Sequence, residues 1–212
     1  MTECAALVTH GAGRIGRAIS LALHRSGYAV AIHARRAREA ETLRDEIVRV
    51  GGRACVASAE LADHATDLVK AAAEALGPLS LLVNVPPSIE PDETGAGDAA
   101  RFDRHMAANL RAPLFLSQAF AAQAAGDGAS IVTILDQRAP AIAARVTADA
   151  LAQTALHAAI PALARALAPK VRVNAVSVGS ESDPEEIAAA VVYLSSARSV
   201  TGVTLGVGSV AE

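Results

Sequence analysis

Short apolar runs alternate with longer amphipathic ones along the whole chain, and this alternation constrains the fold more than any other feature. Ala5–Thr9, Ala29–His33, Arg53–Ala57, Leu79–Asn84, Ser130–Leu135, Val171–Val176 and Val203–Val207 read as strands. Between them Arg14–Ser26, Ala37–Val50, Asp63–Leu76, Asp98–Ala125, Thr147–Ala168 and Pro184–Ser195 read as helices. Strict βα alternation demands right-handed crossovers. It predicts a Rossmann-like doubly wound α/β fold: a parallel sheet of about seven strands with helices on both faces. No repeat, linker or low-complexity stretch interrupts the pattern, so residues 1–212 are expected to form one domain.

Composition narrows the function classes. Hydrophobic residues make up 52% and charged residues 19%, as in a globular chain. Aromatics are only 2%, so Ala, Val, Leu and Ile must fill the core. The net charge of −3 comes with no basic block, which argues against nucleic acid or an anionic membrane as partner. No apolar run reaches the roughly 18 residues of a membrane span, and the N-terminus lacks a signal-peptide pattern. Cys4 and Cys55 form no metal or redox pair and fit a reducing cytoplasm. The six histidines lack ligand spacing, so no metal site is expected.

Three local features stand out. Gly11-x-Gly13-x-x-Gly16 follows the first strand and opens a helix, the context a dinucleotide-binding fingerprint requires. There the loop amides and the helix N-terminus would face a pyrophosphate. A tight glycine turn without a ligand fits the same residues. Pro86-Pro87 ends the fourth strand in an extended exit, and Pro161 should kink or split the helix it lies in.

The blocks ALVTHGAGRIGRAIS, GYAVAIHARR, LLVN, AANLRAPLFLSQAFA, IVTILDQR, ALAPKVRVNAV and PEEIAAAVVYL…SVTG occur in one order. Together they resemble the short-chain dehydrogenases/reductases, in particular the pteridine-reductase-like branch that reduces dihydropterins and dihydrofolate with NADPH. The resemblance implies that the dinucleotide lies at the switch point of the sheet.

On the cofactor side the resemblance assigns Gly11, Gly13, Arg14, Ile15 and Gly16 to the phosphate loop, with His10 in place of the family's first glycine. Arg35 and Arg36 follow the second strand, where an NAD enzyme usually carries a carboxylate for the ribose. Two guanidinium groups there suit the 2′-phosphate of NADP(H), although a solvated helix start would look the same. Glu60-Leu61 stands in place of Asp-Leu near the adenine. Asn84 keeps the first Asn of the family's Asn-Asn-Ala-Gly-like motif, from which Val85-Pro86-Pro87 departs.

On the catalytic side the family uses a tyrosine to protonate the substrate and a lysine four residues later to lower the tyrosine's pKa. An Asp in this branch precedes that tyrosine by thirteen residues, and an Asn on the long helix supports a water relay. Asn109 and Asp136 match the last two. Asp149 and Gln153 occupy the Tyr and Lys positions. The tyrosines Tyr28 and Tyr193 and the lysines Lys70 and Lys170 map away from the pocket. Asp149 beside Asp136 could act as an unusual acid, with Arg138 and Arg145 opposing that role.

The substrate-covering segment is also missing. Val178 replaces the family's Pro, and only Ser180–Asp183 separates Gly179 from Pro184. The C-terminal VTLGVGSV lacks the family's Asp-Gly-Gly ending.

These residues lead to a non-catalytic, NADP(H)-binding relative of pteridine reductase, acting as a homo-oligomer or beside an intact paralogue in a hetero-oligomer. An active NADPH-dependent reductase with an atypical proton donor, and a ligand-free structural module, are the alternatives.

Overall fold

The computed structural model describes residues 4–87, 98–124, 128–137 and 147–208. Seven strands form one parallel sheet: β1 (Ala5–Val8), β2 (Ala29–Ala34), β3 (Ala54–Ser58), β4 (Leu79–Asn84), β5 (Ala129–Asp136), β6 (Val171–Val178) and β7 (Thr204–Val207). Their order is β3-β2-β1-β4-β5-β6-β7, as the βα alternation predicts. The order reverses between β1 and β4, so their C-terminal ends diverge there into a crevice.

Two apolar layers sandwich the sheet. Helices α1 (Arg14–Arg25), α2 (Arg38–Arg49) and α7 (Pro184–Ser196) cover one face through Ile19, Leu23, Leu43, Ile47, Ile187 and Val191. Helices α3 (Leu61–Leu76), α5 (Ala112–Gln123) and α6 (Ala148–Leu167) cover the other through Leu68, Leu116, Phe120, Leu156 and Ile160. Every residue of β1, β2 and β6 is buried, as strands covered on both faces must be.

Two helix expectations change. The stretch Asp98–Ala125 is not one α-helix. Asp98 caps α4 (Ala99–Met106), a π-turn covers Ala107–Arg111, and α5 follows. Ala125 lies outside the described residues. Pro113 is the physical reason. It has no N–H for the Asn109 carbonyl four residues back, and its ring would crowd that carbonyl in a regular helix. The wider π-turn resolves the clash and sets Asn109 at the irregularity. Pro161, in contrast, neither breaks nor divides α6, which runs unbroken for 20 residues. Pro161 is exposed, so its ring meets solvent rather than packed neighbours.

The connection from β6 to α7 is as short as the sequence implies, and it is tied down. Ser182 Oγ accepts from the Gly179 amide at 2.9 Å and donates to the Val207 carbonyl at 2.7 Å. Asp183 then caps α7 by accepting from the Glu185 amide at 3.0 Å. At its other end α7 meets Arg172 of β6, a residue only 7% exposed. Arg172 donates to the carbonyls of Leu194, Ser195, Ala197 and Val200 at 2.7–3.3 Å. A buried cation thereby meets the negative end of a helix.

Candidate functional site

The glycine loop joins β1 to α1, and each glycine answers a different constraint. A Cβ on Gly16 would stand 2.3 Å from the His10 carbonyl oxygen, so only glycine lets α1 approach the loop. A Cβ on Gly11 would press on Ile32 Cγ2 at 2.8 Å and the Val8 carbonyl at 3.1 Å. Gly13 differs. Its nearest neighbour would be the His10 carbonyl at 3.4 Å, so packing does not demand a glycine there. Its missing side chain leaves open ground above the N-terminus of α1, whose first amides have no side-chain cap. An anion can use those amides. Arg14 is exposed beside them, and Ile15 packs partly into the core.

His10 stands where the resemblance expects glycine, and its backbone shows why glycine is usual: φ is +46°, in the left-handed region. The strained residue is held on both sides. Its Nδ1–H donates to the Val85 carbonyl at 2.9 Å, and its backbone N–H donates to His33 Nδ1 at 3.1 Å. His33 Nε2–H in turn donates to the Ala59 carbonyl at 3.0 Å. The Val85 carbonyl also accepts from Thr9 Oγ1, which itself accepts from the Val85 amide at 2.8 Å. These bonds tie together the C-terminal ends of β1, β2, β3 and β4. They also fix both tautomers, since His33 must offer an unprotonated Nδ1 and His10 a protonated one. Burial lowers the pKa of both rings, and it takes His33 down to about 4.

Arg35 and Arg36 are exposed at the end of β2. Arg36 Nε donates to Glu39 Oε1 at 2.6 Å across one turn. Glu60 is the exposed N-cap residue of α3, while Leu61 is 7% exposed and packs in the core. Asn84 also turns inward, 2% exposed, with Nδ2 donating to Ser117 Oγ at 3.4 Å.

A cleft of about 200 Å³ opens beyond the ends of β4, β5 and β6. Pro86 and Pro87 form one wall, and Leu135, Val178, Gly179 and Ser180 another. Asn109, Asp136, Asp149 and Gln153 all line it, so residues spread over three elements meet as the resemblance implies. Asn109 Nδ2 donates to Asp149 Oδ1 at 2.7 Å, and Gln153 Oε1 lies 3.5 Å from the Asp136 amide. His105, not singled out from the sequence, lies beneath: it is 2% exposed, with Nδ1 3.8 Å from Asp149 Oδ1. Its position on α4 one turn before Asn109 is the signal that could have found it. The cleft is rich in acceptors, and the buried Asn109 Oδ1 has no hydrogen-bond partner. Arg138 and Arg145 lie outside the described residues.

No tyrosine or lysine reaches this cleft. Tyr28 bonds Ser195 Oγ beside α7, and Tyr193 is 56% exposed. Lys70 is exposed near Glu74, and Lys170 Nζ donates to the Ala121 carbonyl.

The sheet order and glycine loop place the protein in the Rossmann-like α/β class. Comparison with known proteins then defines the family. The short chain dehydrogenase profile matches residues 4–183. An uncharacterized oxidoreductase of Methylorubrum extorquens is 32% identical over 178 residues, 82% of this chain and 71% of that protein. A short chain dehydrogenase of Pseudocercospora fijiensis is 40% identical over 82 residues, and the match spans only 26% of that longer protein. Among solved structures, the alternative dihydrofolate reductase 1 (FolM) of Brucella canis, complexed with NADP, superposes with a TM-score of 0.90. It is 35% identical over 97% of this chain and 92% of that one. The chain belongs to the short chain dehydrogenase family, and its structural likeness lies with the folate-reductase-like branch.

Proposed function

We propose that this protein is an NADP(H)-binding member of the short chain dehydrogenase family without reductase activity, serving as a regulatory or partner subunit. The observation that carries this reading is the pairing of Asn109 with Asp149 in the cleft. Bound NADPH would supply a hydride from its nicotinamide ring. Reduction of a pterin or carbonyl also needs a group that releases a proton beside the acceptor atom. The family's tyrosine position holds Asp149, whose oxygen accepts from the Asn109 amide. That arrangement suits an ionised carboxylate, which accepts hydrogen bonds and has no proton to give. Gln153, where the family has lysine, is buried and neutral, so no cation is supplied there.

The phosphate-binding end of the dinucleotide groove, in contrast, retains its parts. The open ground at Gly13 and the uncapped α1 amides fit a pyrophosphate. Arg35 and Arg36 fit a 2′-phosphate. NADP in the Brucella canis and Brucella suis FolM structures supports the same cofactor here.

Phe102, Phe115 and Leu151 are 44–49% exposed on α4, α5 and α6. They support association through this helical layer, with a second copy or an intact paralogue. No helix among the described residues is long and apolar enough to cross a membrane. The cysteine usage supports a cytoplasmic location.

Calorimetric titration with NADPH, followed by assay with dihydrobiopterin and dihydrofolate, tests the proposal. Saturable binding with no steady NADPH oxidation is the expected result. Steady turnover that Asp149→Asn abolishes would instead establish a carboxylate acid.

A further inference from the structure

The His10 ring occupies the crevice that a dinucleotide crosses in this fold, between the glycine loop and the end of β4. Nδ1–H is committed to the Val85 carbonyl, while Nε2 has no hydrogen bond among the described residues. The ring is half-buried, packed edge-on against His33 with centroids 5.2 Å apart. In the neutral ring Nε2 is a lone pair. Protonation there leaves the Nδ1–H bond to Val85 untouched and turns the opposite end of the ring into a donor. His10 can therefore take up a proton without releasing the loop, which His33 cannot do because its Nδ1 receives the His10 amide.

We propose that His10 is a pyrophosphate-contacting residue. Binding the dinucleotide draws a proton from solvent onto Nε2, and the imidazolium donates that proton's hydrogen bond to a phosphate oxygen. This rests on the reading that the protein binds NADP(H). The charges around the ring set the balance. Burial opposes protonation in the free protein, while the Val85 carbonyl and then Glu60 at the start of α3 favour it, and the neutral His33 ring of β2 adds no charge. β4 contributes the Val85 carbonyl, and the exposed Arg14 side chain belongs to the glycine loop itself. A diphosphate placed over the α1 N-terminus adds two negative charges on the open side and shifts that balance toward the imidazolium. The chain thereby gains a cation at a position that carries none when glycine stands there.

The test is calorimetric titration of NADPH at pH 6.5 in buffers of different ionisation enthalpy, with wild type, His10→Asn and His10→Gly. Both variants tolerate the positive φ, so folding is retained, and Asn keeps a donor for the Val85 carbonyl. The 2′-phosphate also titrates near this pH, and it contributes equally in all three proteins. ADP-ribose, which has the diphosphate but no 2′-phosphate, serves as a second probe. Wild type should take up more protons than either variant, by up to about one per ligand, and its affinity should tighten roughly three- to tenfold more between pH 8 and 6. The His10 Cε1–H resonance should titrate at higher pH with ligand than without. Equal proton uptake in all three proteins, or tighter binding in both variants, overturns the role of His10 and leaves NADP(H) binding standing. Absence of NADPH binding by wild type overturns both.

Discussion

His33 is a neutral imidazole by necessity. A proton on Nδ1 would face the His10 N–H, and the ring is 1% exposed among the strand ends. Burial lowers its pKa from 6.5 to about 4. Between these two values the unfolded chain binds a proton that the folded chain refuses. Stability is therefore unaffected by this group above 6.5, falls as pH drops through the window, and levels off below about 4. The whole effect is about 3 kcal/mol at most. Urea denaturation at steps from pH 7.5 to 4 should show this loss, and His33→Gln should flatten the portion of it that belongs to this ring. An unchanged slope in the variant would assign the acid sensitivity elsewhere. The exposed Arg35 and Arg36 present the opposite situation. Arg36 is engaged with Glu39, but a solvent-exposed ion pair is readily exchanged for a phosphate. In Arg35→Ala/Arg36→Ala the preference for NADPH over NADH should fall by roughly tenfold or more, as read by calorimetry with both cofactors. Equal affinity for the two cofactors in wild type would remove the arginines from the site.

At the scale of elements, α7 is anchored at both ends. Asp183 caps its start, and Arg172 gathers the carbonyls at and beyond its end. Arg172→Met should cost about 3 kcal/mol, because the apolar chain fills the space but leaves several carbonyls without donors. The measurement is the urea midpoint at neutral pH, and a loss below about 1 kcal/mol would mean that water replaces the guanidinium. None of this was legible in the sequence, where Arg172 is one charge in an apolar strand. The elements themselves were legible. Seven apolar runs became seven strands; β4 has the expected ends, and the other six differ by one or two residues at one or both ends. The π-turn was missed because helical periodicity says nothing about the carbonyl that Pro113 cannot serve. The split expected at Pro161 does not occur: α6 keeps helical backbone through it and forgoes the one hydrogen bond a proline cannot donate. Meeting of Asn109, Asp136, Asp149 and Gln153 in one cleft followed from the family resemblance that matched them to known positions. The histidine tie did not, because it depends on tautomers and on strand ends brought together only by the sheet order.

At the scale of the whole molecule, the question is whether two side chains separate this protein from a working reductase. The double substitution Asp149→Tyr/Gln153→Lys is expected not to restore activity. α6 does not prevent it: the helix continues unbroken through Pro161, and positions 149 and 153 stand one turn apart on the cleft wall. The obstacle lies in what surrounds them. Pro86 and Pro87 offer no amide on the wall opposite, where a nicotinamide ribose would need to be held. The link from Gly179 to Asp183 is sewn to β7 by Ser182 and has no residues to spare for covering a substrate. Proton donation alone is worth about 10²–10⁴-fold. Positioning and exclusion of water are worth as much or more, and neither is supplied by a new tyrosine. The check is a steady-state assay with NADPH and dihydrobiopterin on the double variant and on the same variant carrying a longer β6–α7 segment grafted from an active relative. Activity in the second alone would locate the deficit in the cover. Turnover by the double variant itself at about 1 s⁻¹ or faster, an ordinary enzyme rate, would mean that the open cleft already positions both reactants. The proline wall and the short link would then be of no consequence to the chemistry.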